Sequence, residues 1–116
     1  MCKNLRVMTC ESFDVYRKIN RILNEITRIY FESLDLYNKS GVLGNRWTVL
    51  CMLIDLSYNN FQVSELFNEV LDLFKIYTPC VATPKACYIQ SNIDDSKVLV
   101  SNINLMSSRT NRMFKV

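Results

Sequence analysis

The longest regular pattern of apolar positions lies in "SFDVYRKINRILNEITRIYFESLDLYNKSG", Ser12 to Gly41. Val15, Ile19, Ile22, Ile26, Ile29, Ser33 and Leu36 follow one another at steps of four and three, and Tyr16, Leu23, Tyr30 and Tyr37 recur every seven residues beside them. Such spacing gathers the apolar side chains on one broad face of a helix, expected over 12–39. Ser12 is the expected N-cap, Asp14 suits the positive end of the helix dipole, and Gly41 is the expected stop. Over those 28 residues the helix would run about 42 Å. The remaining residues are expected not to cover so long a face easily, so a second copy of the chain is its economical cover. Val15, Ile19, Ile22, Ile26, Ile29 and Tyr30 are then the expected dimerisation seam. The alternative is a bent or broken helix packed within its own chain. Arg17, Lys18, Arg21 and Arg28 fall on the polar side, with Arg21–Glu25 and Arg28–Glu32 spaced for i,i+4 pairs.

Two shorter helical patterns follow. In "NRWTVLCMLIDLSYNN", Trp47, Leu50, Cys51 and Ile54 make an i, i+3, i+4, i+7 stripe, with Asn45 as cap and Asn59-Asn60 as turn chemistry at the end. Cys51, inside this stripe, is expected in the core. In "QVSELFNEVLDLFKIY", Val63, Leu66, Phe67, Val70, Phe74 and Tyr77 keep helical spacing, Glu65, Glu69 and Asp72 take the polar side, and Thr78-Pro79 ends the run. An acidic helix is poorly suited to lie against phosphates.

After Pro84 the pattern reads with a period of two. "ACYIQ" and "KVLVSNI" are short segments rich in β-branched or aromatic residues around the polar "SNIDDS", which predicts a hairpin over 86–104 with a long loop. Helices followed by a hairpin is the order of a winged helix.

At this point the chain resembles the multiple-antibiotic-resistance regulator (MarR) family and its staphylococcal accessory-regulator (SarA-like) branch, from about Tyr16 to Ser107. The resemblance is carried by the long first helix, "RWTVLCML" (Arg46 to Leu53), "SEL" (Ser64 to Leu66), the tip Asp94-Asp95-Ser96-Lys97 and the return strand Val98-Leu99-Val100-Ser101. It implies a winged helix-turn-helix that dimerises through its first helix and binds double-stranded DNA. The tip lacks the family's arginine pair, and Pro79 and Pro84 interrupt the segment where a recognition helix belongs, leaving room for a short helix from Pro79 to about Thr83.

Length sets a frame of one domain, 1–116: a long helix at 12–39, a helical core at 45–85, a wing at 86–104 and a basic tail at 105–116. The expected class is mainly α with a small β-hairpin (α+β), the alternative an all-α bundle. The net charge is +3 and unevenly placed: residues 1–74 hold eight Lys/Arg against nine Asp/Glu, net −1, and residues 75–116 hold six against two, net +4. A polyanion contact therefore belongs on the C-terminal third. The candidate DNA contacts are Lys75, Thr78, Thr83 and Lys85 at a major groove, Asn92 and Lys97 on the wing, and Arg109, Arg112 and Lys115 on phosphates.

The five cysteines, at 2, 10, 51, 80 and 87, form no CxxC pair, and the charged N-terminus "MCKNLRVMTCESFD" lacks a signal-peptide core. No apolar run approaches the ~18 residues of a membrane span. An intracellular protein with free thiols is expected; a Cys80–Cys87 bridge is conceivable, but spacing alone does not establish it. The sequence contains no histidine, which excludes histidine-based triads and the common histidine-containing zinc sites, and its only two glycines, Gly41 and Gly44, make no phosphate loop. A four-cysteine metal site would need unusual spacing. No catalytic residue, metal or cofactor is expected. Two readings remain: a homodimeric DNA-binding regulator, and a small helical module, viral or accessory in kind, that binds another protein. A contiguous positive surface would favour the first; a large exposed apolar patch would favour the second.

Overall fold

The computed structural model describes the backbone of residues 5–43, 46–77 and 83–115, and the side chains of 14–39, 46–76 and 87–112. Three helices make up all of it: α1 (Leu5–Leu43), α2 (Arg46–Tyr77) and α3 (Thr83–Lys115). All three pairs of helices pack against one another, in a bundle measuring 61 × 18 × 17 Å. Short connections force neighbouring helices antiparallel, so α1 and α3 run parallel with α2 reversed beside them. Two cross-helix pairs fix the register: Asn59 on α2 bonds Ser33 on α1, and Ser57 on α2 meets Ser107 on α3.

The apolar face of α1 is the one its spacing predicts. Ile19, Ile22, Leu23, Ile26 and Ile29 are buried, and Ser33 continues the line. What covers them is this chain: Val63 and Val70 from α2, and Ile89, Ile93 and Ile103 from α3, join the same cluster. Helices of 32 and 33 residues are long enough to span the face of α1. The argument for a dimer seam at Val15, Ile19, Ile22, Ile26, Ile29 and Tyr30 thereby loses its basis. Four of the six are buried inside the chain, and Val15 and Tyr30 are half-buried against the same core. The helix also runs past both expected ends, with Ser12 in its interior and Gly41 in its last turn.

The winged-helix, α+β expectation is overturned, and the all-α bundle is what the chain forms. No strand occurs among the described residues. The segment 86–104, expected as a hairpin, and the expected basic tail from 105 are one helix, α3. Its buried positions explain why. Ile89, Ile93, Ser96, Ile103, Met106 and Thr110 follow helical steps of three and four, with half-buried Val100 filling the gap. The stretch "SNIDDS" is not a loop but a helical turn whose Asp94 and Asp95 face solvent while Ile93 and Ser96 face inward. Pro84 is the second residue of α3, where a missing N–H costs nothing.

The expected break at Asn59-Asn60 is absent too. With no Gly or Pro there, α2 continues from Arg46 to Tyr77. Its buried positions are Met52, Leu56, Val63 and Val70, with Leu66, Phe67, Leu73 and Phe74 partly buried beside them.

Candidate interaction surface

A single continuous α2 has only one inward face, and two apolar stripes compete for it in the first half of the helix. Met52 and Leu56 are in phase with Val63 and Val70. Trp47, Cys51, Ile54, Tyr58 and Phe61 form the other stripe, whose continuation would bring Glu65, Asn68 and Asp72 into the core. Burying those carboxylates without partners would cost far more than exposing the apolar side chains. The helix therefore turns Met52 and Leu56 inward and leaves the second stripe on its back. Trp47 is 75% exposed, Tyr58 64%, Phe61 61% and Ile54 60%, and Cys51 between them is an exposed free thiol. The expectation that Trp47, Cys51 and Ile54 line the core is thus reversed, and of that stripe only Leu50 is half-buried.

The spacing of this outer stripe is four, three, four and three residues, the repeat of a helix–helix seam. From Trp47 to Phe61 it runs about 21 Å along the helix. Beyond Phe61 the same face turns acidic: Glu65, Glu69 and Asp72 are exposed, with Lys75 Nζ 4.0 Å from Asp72 Oδ1.

Of the residues singled out for DNA, those whose side chains the structure describes, Lys75, Asn92, Lys97, Arg109 and Arg112, are not gathered into one surface. Lys75 lies near the C-terminal end of α2; Arg109 and Arg112 lie exposed near the C-terminal end of α3. Because Ser57 sits level with Ser107, Lys75, eighteen residues further along α2, lies about 27 Å from that level. Lys97 is exposed midway along α3, one turn from Asp94. Asn92 is no wing tip: it is half-buried and faces α1. Thr83 and Lys85 fall in the first turn of α3 with side chains outside the described residues, as is the side chain of Lys115, while Thr78 and Cys80 lie outside them altogether. Cys87 is an exposed free thiol.

A cleft of about 450 Å³ opens between α1 and α3. Asn20, Asn24, Tyr88, Asn92, Asp95 and Ser96 are among the residues that line it. Amides and hydroxyls dominate, as in a hydrated groove. Elsewhere on α1, Arg28 sits between two carboxylates, with Nη2 2.5 Å from Glu25 Oε2 and Nη1 on Glu32. The hydrogen bond from Arg28 holds the Glu25 carboxyl below its ordinary pKa, and the two carboxylates raise that of the guanidinium. Both groups face solvent and serve the helix surface.

Among the described residues no cluster of His, Cys, Asp and Glu is placed to hold a metal ion, and no helix is long and apolar enough to cross a membrane. No protein-family model matches the chain, no curated protein matches it, and no solved structure matches it.

Proposed function

We propose that the chain is a small helical protein–protein interaction module whose docking surface is the outer face of α2. The observation that carries this reading is the exposure of Trp47, Ile54, Tyr58 and Phe61 along one line of a helix whose opposite side is fully engaged in the core. Exposed apolar residues scattered singly are ordinary; three aromatic rings and an isoleucine in one stripe are the mark of a binding surface. Aromatic side chains are also the residues that dominate interface energetics. The separation of Lys75 from Arg109 and Arg112, at opposite ends of the bundle, supports binding of a protein rather than of a duplex.

A photo-crosslinking residue at Ile54, tested in the native cellular setting against one at the exposed Asn104 on α3, examines this reading. Discrete adducts from position 54, absent from position 104 and lost when Trp47 and Phe61 are replaced by Asp, are expected. Equal labelling from both positions, or none, would overturn it. A titration with random-sequence duplex DNA at two salt concentrations adds the contrary arm. Binding that weakens with a log–log slope of several units would mark a phosphate-reading protein; weak binding with a shallow slope is expected here.

A further inference from the structure

Resting on that reading, we infer that the occupant of the α2 face is the α2 face of a second copy, packed antiparallel about a two-fold axis between Ile54 and Tyr58. The seam repeat of four and three lets two identical helices interdigitate. A two-fold contact requires a patch that is complementary to itself. About an axis at the level of Leu56, Ile54 meets Tyr58 and Cys51 meets Phe61, so the central apolar residues of each copy oppose apolar residues of the other, while Trp47 at each end falls level with Glu65.

Charge decides the direction. The outer face is apolar along the line from Trp47 to Phe61, with the exposed Asp55 at its flank, and acidic from Glu65 to Asp72. A parallel pair in register would stack Glu65 on Glu65, Glu69 on Glu69 and Asp72 on Asp72, and like charges so placed repel. The antiparallel pair overlaps the apolar halves and takes in only Glu65 of the acidic run, level with Trp47 of the other copy. It sets the two Glu65 positions about 27 Å apart along the seam, well beyond the ~10 Å over which exposed charges act. It also brings Arg46 of one copy within one residue of the level of Glu65 on the other, an opposite charge at each end.

The area is sufficient. At their observed exposure, Trp47, Tyr58, Phe61 and Ile54 offer on the order of 500 Å² per copy, since an aromatic side chain carries ~150–250 Å². Two such faces reach the ~1,000 Å² that a specific interface must clear. The dimer is therefore of modest strength and sensitive to single changes at its centre.

Trp47 is the chain's single tryptophan, so its emission reports the seam directly. Sedimentation equilibrium of the purified protein from 1 to about 200 µM should show a monomer–dimer equilibrium, and Trp47 emission should move to shorter wavelength over the same range. Tyr58→Glu, beside the axis and so felt twice, should weaken dimerisation at least about 30-fold, the size of a single hot-spot loss. Its circular dichroism should stay that of the unmutated chain. Val98→Glu, an exposed apolar position on α3, should leave the equilibrium unchanged. Orientation is read by mild oxidation: Phe61→Cys should link to Cys51 across the seam. Two native Cys51 thiols would stand about 15 Å apart along it, too far for the Cα spacing a disulfide needs. A monomer throughout the range, an equal effect of Val98→Glu, or a ready Cys51–Cys51 link would overturn the inference. A monomer whose position-54 crosslinker still captures another protein would sink the self-pairing alone; a monomer with no adducts would sink the interaction reading with it.

Discussion

Asn59 Nδ2 donates a 3.0 Å hydrogen bond to Ser33 Oγ, joining the middle of α2 to the buried face of α1. Ser33 is fully buried in a line otherwise made of apolar side chains. A polar pair there contributes register more than raw stability, because only one sliding position of α2 on α1 satisfies both groups. Ser33→Ala removes the acceptor and leaves the half-buried amide short of a partner, at a cost of about 1–3 kcal/mol. Replacing the pair together, Ser33→Ala with Asn59→Leu, should recover much of that loss. Chemical denaturation of the two variants checks this; a double variant no more stable than the single one would refute it.

The identity of 86–104 as helix gives a sharper contrast. Ile103 is fully buried while Leu105, two residues on, is 47% exposed. Ile103→Ala should cost about 2–5 kcal/mol, and Leu105→Ala under about 0.5 kcal/mol. Asp95→Pro, harmless at the tip of a hairpin, removes an interior helical hydrogen bond and should cost about 3 kcal/mol or more. Thermal melts followed by circular dichroism distinguish the two architectures, and a chain that accepts proline at 95 without loss would contradict the helical one.

These contrasts show where the fold was legible. The face of α1 could be read because one stripe of Ile residues, uninterrupted by a rival, admits a single phase. The second half of α2 was equally clear, since Glu65, Glu69 and Asp72 mark its outer side without ambiguity. The first half was not, because Trp47–Phe61 and Met52–Leu56 are both plausible inner faces until the helix is known to be continuous. Asn59-Asn60 suggested a stop, but neither is Gly or Pro, and Asn59 is used across helices in its bond to Ser33. In α3, Val98, Leu99 and Val100 are adjacent and β-branched or aliphatic, so local propensity pointed to a strand. The spacing of Ile89, Ile93, Val100 and Ile103 held the helical answer, and tertiary burial of that face overrides propensity. The candidate surface follows from the same ambiguity: the stripe rejected by the core is the stripe left for a partner. It could have been found by extending both phases of α2 to Tyr77 and asking which one buries carboxylates.

The Arg28 cluster carries the remaining prediction, on acid stability. Arg28 hydrogen-bonds Glu25 and meets Glu32 on the exposed side of α1. The hydrogen bond from Arg28 lowers the Glu25 pKa from 4.5. In the unfolded chain that carboxyl returns to its ordinary value, so on acidification the unfolded state takes up the proton first. The stabilisation is thus fully present above about pH 5 and is lost as pH falls through the lowered folded-state value. Because both groups face solvent, the effect is small and screened by salt. Arg28→Gln keeps the length and helix propensity of the side chain but removes the charge. Melting temperature measured from pH 7 down to pH 2 in low salt should fall more for the unmutated chain than for the variant over the acid limb. Above pH 5 the unmutated chain should be the more stable of the two. At high salt the curves should converge. Parallel curves at low salt, or a steeper acid limb in Arg28→Gln, would show that the pair does not couple α1 to pH.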